Sequence, residues 1–120
     1  MARKKNSNEK YRSKFEQRLA DKLLKLGFVY EPYRIKYEVP TSIHSYTPDF
    51  VRGKLIYELK GRFTAADRKK MKLLVEQHPE YDFVMVFQNP NTKLNKNSKT
   101  TYAMWCEKNN IEWIPAKELK

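Results

Sequence analysis

The stretch Leu55-Ile56-Tyr57-Glu58-Leu59-Lys60 decides how this chain folds. It alternates with the period of a strand, so Leu55, Tyr57 and Leu59 face one way and Ile56, Glu58 and Lys60 the other. Further on, Phe83-Val84-Met85-Val86-Phe87 is a continuous apolar run, the pattern of a strand covered on both faces. Between the two, Thr64-Ala65-Ala66-Asp67 has the form of a helix N-cap with an acid in the first turn. Met71, Leu74, Val75 and His78 then fall on one helical face, and Pro79 stops the run. Strand, helix and strand in that order predict a right-handed crossover with the two strands parallel.

Upstream of this unit, Tyr46-Thr47-Pro48-Asp49-Phe50 leads through the tight turn Arg52-Gly53-Lys54 into the Glu58 strand, which predicts a hairpin. Tyr33, Ile35, Tyr37 and Val39 alternate with charged residues between Pro32 and Pro40, so residues 33–39 read as a stiff bridging strand. Residues 41–45 read as a loop. Residues 28–31 are a short strand candidate. Residues 10–26 are helical, because Phe15, Leu19, Leu23 and Leu26 recur every three or four positions and Gly27 offers a left-handed stop. Downstream, residues 88–101 form a polar loop, Thr101 caps a short helix holding Tyr102, Trp105 and Cys106, and residues 111–114 form a last strand before a turn at Pro115. The fold class is α/β: a small mixed β-sheet flanked by helices. A basic arm over residues 1–10 precedes a single domain over residues 11–120.

The chain carries 25 Lys and Arg against 14 Asp and Glu, a formal net charge of +11 on 120 residues. Such self-repulsion points to a polyanionic partner, and nucleic acid fits the footprint. Cys106 is the only cysteine, which excludes an intrachain disulfide and suits a reducing, cytoplasmic setting. No apolar run reaches the roughly 20 residues a membrane span needs. The first residues lack the apolar segment of a secretory signal. Only three glycines are present, and no phosphate-cradling loop for a nucleotide cofactor, zinc spacing or nucleophilic triad occurs.

Two carboxylates and an ammonium converge in the hairpin. Glu58 and Lys60 share a face, and Asp49 arrives from the neighbouring segment. That set suits a hard cation such as Mg²⁺, with Mn²⁺ able to substitute, and the cleavage of a phosphodiester. Two ions about 3.5–4 Å apart would neutralise charge, activate water and stabilise the leaving oxygen. Asp49 would bridge them, Glu58 and the carbonyl of Leu59 would add ligands, and Lys60 would orient water or balance charge. A same-face ion pair between Glu58 and Lys60, with Asp49 as a turn residue, is the plainer alternative. Glu16 lies beside the apolar stripe of the first helix, where a lysine-paired surface carboxylate is the other reading. His44 is open between a phosphate contact and a surface residue. His78 at a helix end reads as structural, and Cys106 as core.

These strings together resemble the bacteriophage endonuclease I family, junction-resolving nucleases within the wider PD-(D/E)xK group. The resemblance is carried by Tyr11-Arg12-Ser13 with Phe15-Glu16, His44-Ser45-Tyr46-Thr47-Pro48-Asp49-Phe50, Glu58-Leu59-Lys60-Gly61, Asp67-Arg68-Lys69-Lys70, Glu76-Gln77-His78-Pro79-Glu80, Thr92-Lys93-Leu94 and Cys106-Glu107-Lys108. It implies a restriction-endonuclease-like core and Mg²⁺-dependent cutting of four-way (Holliday) junctions and other branched DNA. It adds Glu16 to Asp49, Glu58 and Lys60 as a fourth active-site residue, with a place among the metal ligands. It also implies an intertwined homodimer in which the N-terminal helix, residues 11–27, is exchanged through the bridge at residues 33–39, so that Glu16 completes the partner's site. Candidate DNA contacts are His44, Arg62, Arg68, Lys69, Lys93, Lys96, Lys99 and the N-terminal arm. Two competing readings remain: a less selective nuclease of the same group, and a basic DNA-binding protein without catalysis.

Overall fold

A computed structural model describes residues 11–119; the basic arm at residues 1–10 lies outside them. The crossover unit forms as the sequence predicts. Strand β5 (Leu55–Lys60) runs parallel to β6 (Asp82–Phe87), joined by helix α2 (Ala65–Gln77). Thr64 and Asp67 close a capping box at the start of α2: the Thr64 hydroxyl accepts from the Asp67 amide, and the Asp67 carboxylate accepts from the Thr64 amide. On the other side of β5, β4 (Phe50–Arg52) pairs antiparallel through the two-residue turn Gly53-Lys54. Gly53 takes a φ of 61°, which a glycine adopts without strain.

The sheet has five strands in the order β1-β4-β5-β6-β7, with β1 at Val29–Tyr30 and β7 at Glu112–Pro115. Its β1, β4 and β5 strands are antiparallel, while β5, β6 and β7 are parallel, so the sheet is mixed. β6 sits between two partners with Phe83 to Phe87 all buried, as its apolar run requires.

Each face of the sheet carries its own core. Helix α1 (Lys14–Lys25) places Phe15, Leu19 and Leu23 against Phe50, Leu59 and Val86. Helices α2 and α3 (Tyr102–Lys108) place Met71, Leu74, Tyr102 and Cys106 against Ile56, Phe83, Met85 and Phe87 on the opposite face. The period-2 pattern of residues 55–60 therefore divides between two layers of helix. None of the described helices is long and apolar enough to cross a membrane.

Three sequence expectations need correction. The bridging strand begins at Ile35 rather than residue 33: β2 is Ile35–Val39, and Tyr33 is exposed. The expected loop at residues 41–45 is a strand, β3 (Ser42–Tyr46), paired antiparallel with β2 across the two-residue turn Pro40-Thr41. Only Tyr46 of β3 is buried. A strand without a buried stripe has no apolar alternation to read, and its order comes from backbone pairing with β2. This hairpin is clasped onto α2. The Glu38 amide donates to Gln77 Oε1 at 2.6 Å, and Gln77 Nε2 donates back to the Glu38 carbonyl at 2.7 Å. His78 Nε2 donates to the Lys36 carbonyl at 2.6 Å, so the structural reading of His78 holds. The first helix is also shorter than expected, starting at Lys14 with Ser13 as N-cap.

Candidate active site

Three elements deliver the acidic residues to one pocket. Glu58 and Lys60 lie at the C-terminal end of β5, where ligands of parallel sheets commonly bind. Asp49 stands in the bend just before β4, opposite the same end of β5 because the hairpin is antiparallel. Glu16 is the third residue of α1, and its amide donates to the Ser13 hydroxyl at 3.0 Å. The pocket has a volume of about 510 Å³, and all four side chains line it. Glu16, Asp49 and Glu58 are the only charged groups among the buried residues described, at 4–5 % exposure. Three buried carboxylates in one cavity exceed what packing alone requires.

Each carboxylate is held by a specific donor. The Leu59 amide donates to Asp49 Oδ2 at 2.9 Å. The Tyr46 hydroxyl donates to Glu58 Oε1 at 2.5 Å, and the Asp49 amide lies 3.4 Å from the same oxygen. Glu16 Oε1 accepts from the Tyr30 hydroxyl at 3.1 Å and from the Arg12 amide at 2.9 Å. Glu16 and Glu58 thus each have one oxygen engaged by a tyrosine.

Lys60 Nζ stands 3.7 Å from Glu58 Oε2 and 3.3 Å from Asp67 Oδ1. Asp67 therefore serves twice, capping α2 with one oxygen and anchoring Lys60 with the other.

The electrostatics follow from this crowding. Burial, with Glu58 and Glu16 alongside, pushes the Asp49 carboxyl up to about 9. Burial also raises Glu58, outweighing the opposing pull of Lys60 and the Tyr46 hydroxyl. For Lys60, burial works against the charge, but Glu58, Asp67 and Asp49 together outweigh it and raise the pKa, so Lys60 is an ammonium at neutral pH.

The donor set fits a hard divalent cation. The ligands are carboxylate oxygens, they are buried, and they repel one another when nothing neutralises them. Among the described residues no three His, Cys, Asp or Glu side chains close tightly around one point. A cation here would take few protein ligands and keep several waters, which is the habit of magnesium. Leu59 lines the same wall.

The candidate DNA contacts lie elsewhere. His44 is exposed on β3, paired with Ser42 Oγ at 3.0 Å with its ring tilted against that of Tyr37, and does not line the pocket. Arg68 donates to the Phe63 carbonyl at 2.8 Å and supports the loop before α2. Arg62 and Lys69 are exposed. Lys93, Lys96 and Lys99 are exposed on a loop braced by the Asn89 and Asn95 side chains and by the pairing of Leu94 with Thr100. Sequence reasoning overlooked Tyr30, Tyr46 and Asp67 as supports, and Arg12, Arg34 and Lys70 as lining residues. The tyrosines look like core from their apolar neighbours; nothing in their spacing marks them.

The Phage endonuclease I family matches residues 1–119. The Endonuclease I of Escherichia phage T7 is 42 % identical over 117 residues, covering 92 % of this chain and 78 % of the relative. The Endodeoxyribonuclease 1 of Enterobacteria phage T3 is 45 % identical over 104 residues, covering 84 % of this chain and 68 % of the relative. The chain belongs to the phage endonuclease I family.

Proposed function

We propose that this chain is a DNA endonuclease that resolves four-way junctions and other branched DNA, acting in the host cytoplasm as a homodimer that makes paired nicks. The observation that supports it best is the convergence of Glu16, Asp49, Glu58 and Lys60 on one pocket from three separated elements. In this reading Asp49 and Glu58, with the Leu59 carbonyl and Glu16, hold Mg²⁺ or Mn²⁺. Bound divalent cations supply charge neutralisation and an acidified water.

The chain's own residues do the rest. Tyr46 and Tyr30 fix one oxygen each of Glu58 and Glu16, which limits the orientations open to both carboxylates. Asp67 keeps Lys60 extended into the site, where its ammonium can donate to a phosphate oxygen or to the attacking water as negative charge builds. A junction can have any sequence, so recognition rests on the shape and phosphate geometry of the DNA. A two-fold dimer presents two equal sites to its two symmetry-related strands.

The test is cleavage of a synthetic four-way junction in Mg²⁺, run beside a linear duplex of the same composition. Wild type is expected to cut the junction preferentially, while Asp49→Ala and Glu58→Ala lose at least about 10²-fold in rate. Equal product from all three proteins would remove the assigned chemistry. Equal cutting of both substrates would favour the less selective nuclease.

A further inference from the structure

Four cationic side chains, Arg12, Arg34, Lys60 and Lys70, border the pocket. Lys60 is committed to Glu58 and Asp67. The other three come from separate places: Arg12 from the bend before α1, Arg34 from the segment before β2, and Lys70 from α2. Among the described residues, no hydrogen bond or ion pair engages the side chain of Arg34 or Lys70. The Lys70 ammonium rests over the Tyr46 ring at 5.6 Å from its centroid.

Arg12 is tethered differently. Its Nε lies 2.7 Å from Glu31 Oε2, and its exposed side chain keeps the terminal nitrogens of the guanidinium for another partner. Glu31 is itself fixed, because its amide donates to the Asp49 carbonyl at 2.8 Å and its φ is 43°, an unusual angle for a non-glycine residue.

Arg34 and Lys70 border the same cavity without a direct ion pair to Glu16, Asp49 or Glu58, although the Lys70 charge acts on Glu58 from a distance. Guanidinium forks match phosphate oxygens two at a time, and an ammonium serves as a point charge.

We propose that Arg12, Arg34 and Lys70 form a clamp for the backbone phosphates on either side of the bond that is cut. This rests on the nuclease reading above and deepens it: the carboxylates handle the reacting phosphate, while the clamp sets the path of the strand through the pocket. It is a separate set from the exposed lysines of the 88–101 loop.

The experiment measures binding of the full chain to a four-way junction in Ca²⁺ at several salt concentrations, sampled before product forms. Arg12→Gln, Arg34→Gln and Lys70→Gln are each expected to raise the Kd about three- to tenfold and to lower the slope of log K against log salt by about one. Lys25→Gln, at the far end of α1, is expected to change neither. Arg34→Lys should recover the salt slope but not the full affinity, since the charge returns without the fork. Calorimetric titration with Mn²⁺ in the absence of DNA should show binding no weaker than wild type in each variant. Variants that match Lys25→Gln in Kd and slope would overturn the clamp, as would weakened Mn²⁺ binding, which would mean these residues act through the carboxylates. The binding measurement requires no cleavage. A wild type that binds but never cuts would end the nuclease reading and leave the clamp to be decided on its own.

Discussion

Asp49 shows at the scale of one residue what the site costs the fold. Its carboxyl is pushed up to about 9 by burial and by Glu58 and Glu16. Between the ordinary aspartate value and about pH 9, the folded protein holds a proton there that the unfolded chain has released. The folded state binds more protons, so the metal-free protein loses stability as pH rises through this window. Asp49→Asn keeps an acceptor for the Leu59 amide and removes the charge. The metal-free variant is expected to be about 1–3 kcal/mol more stable than wild type at pH 8, with the gap closing toward pH 4. Mn²⁺ should raise the melting temperature of wild type but leave the variant nearly unmoved. Identical melting curves at both pH values would refute this. Asp49, Glu58 and Lys60 were legible in the sequence because a strand puts residues two apart on one face and a hairpin brings the third alongside. Glu16 was legible only through family resemblance, since its partner Tyr30 is an ordinary aromatic until the backbone brings the two together.

Elements that bury a stripe were readable; those held by the backbone alone were not. Residues 55–60, 65–77 and 82–87 announce themselves because each faces a core. Strand β3 does not, as Ile43 is among its exposed residues. Its turn carries a cost that can be measured. Thr41 has a φ of 76°, a left-handed conformation that a β-branched side chain resists. Glycine is the residue this turn position favours after Pro40. Thr41→Gly is expected to stabilise the protein by about 0.5–1 kcal/mol, the relieved strain exceeding the added freedom of the unfolded chain. Chemical denaturation provides the check, and a destabilised variant would show that the Thr41 side chain makes a compensating contact.

Across the whole molecule, α1 covers one sheet face through Phe15, Leu19 and Leu23, and residues 31–34 connect that layer to the β2–β3 hairpin. Within the single chain, Glu16 enters that chain's own pocket. We propose that two copies exchange α1, making the same contacts between chains, since swapping reuses an existing interface. Mixing Glu16→Ala with Lys60→Ala protein decides it. Exchange leaves one intact site in each mixed dimer, so nicking should return to about a quarter of the wild-type level on full mixing. No return despite demonstrated subunit mixing would mean that each chain completes its own site.

The parallel pairing of β5 with β6 has a further consequence, this one for synthesis. All four proposed catalytic residues are translated before Asp82, yet β5 has only β4 beside it until Asp82–Phe87 exist as backbone. A nascent chain is therefore expected to complete its pocket only after Phe87 has been made. Truncated products that end before Asp82 are expected to lack nuclease activity, because the strand bearing Glu58 and Lys60 has lost its parallel partner.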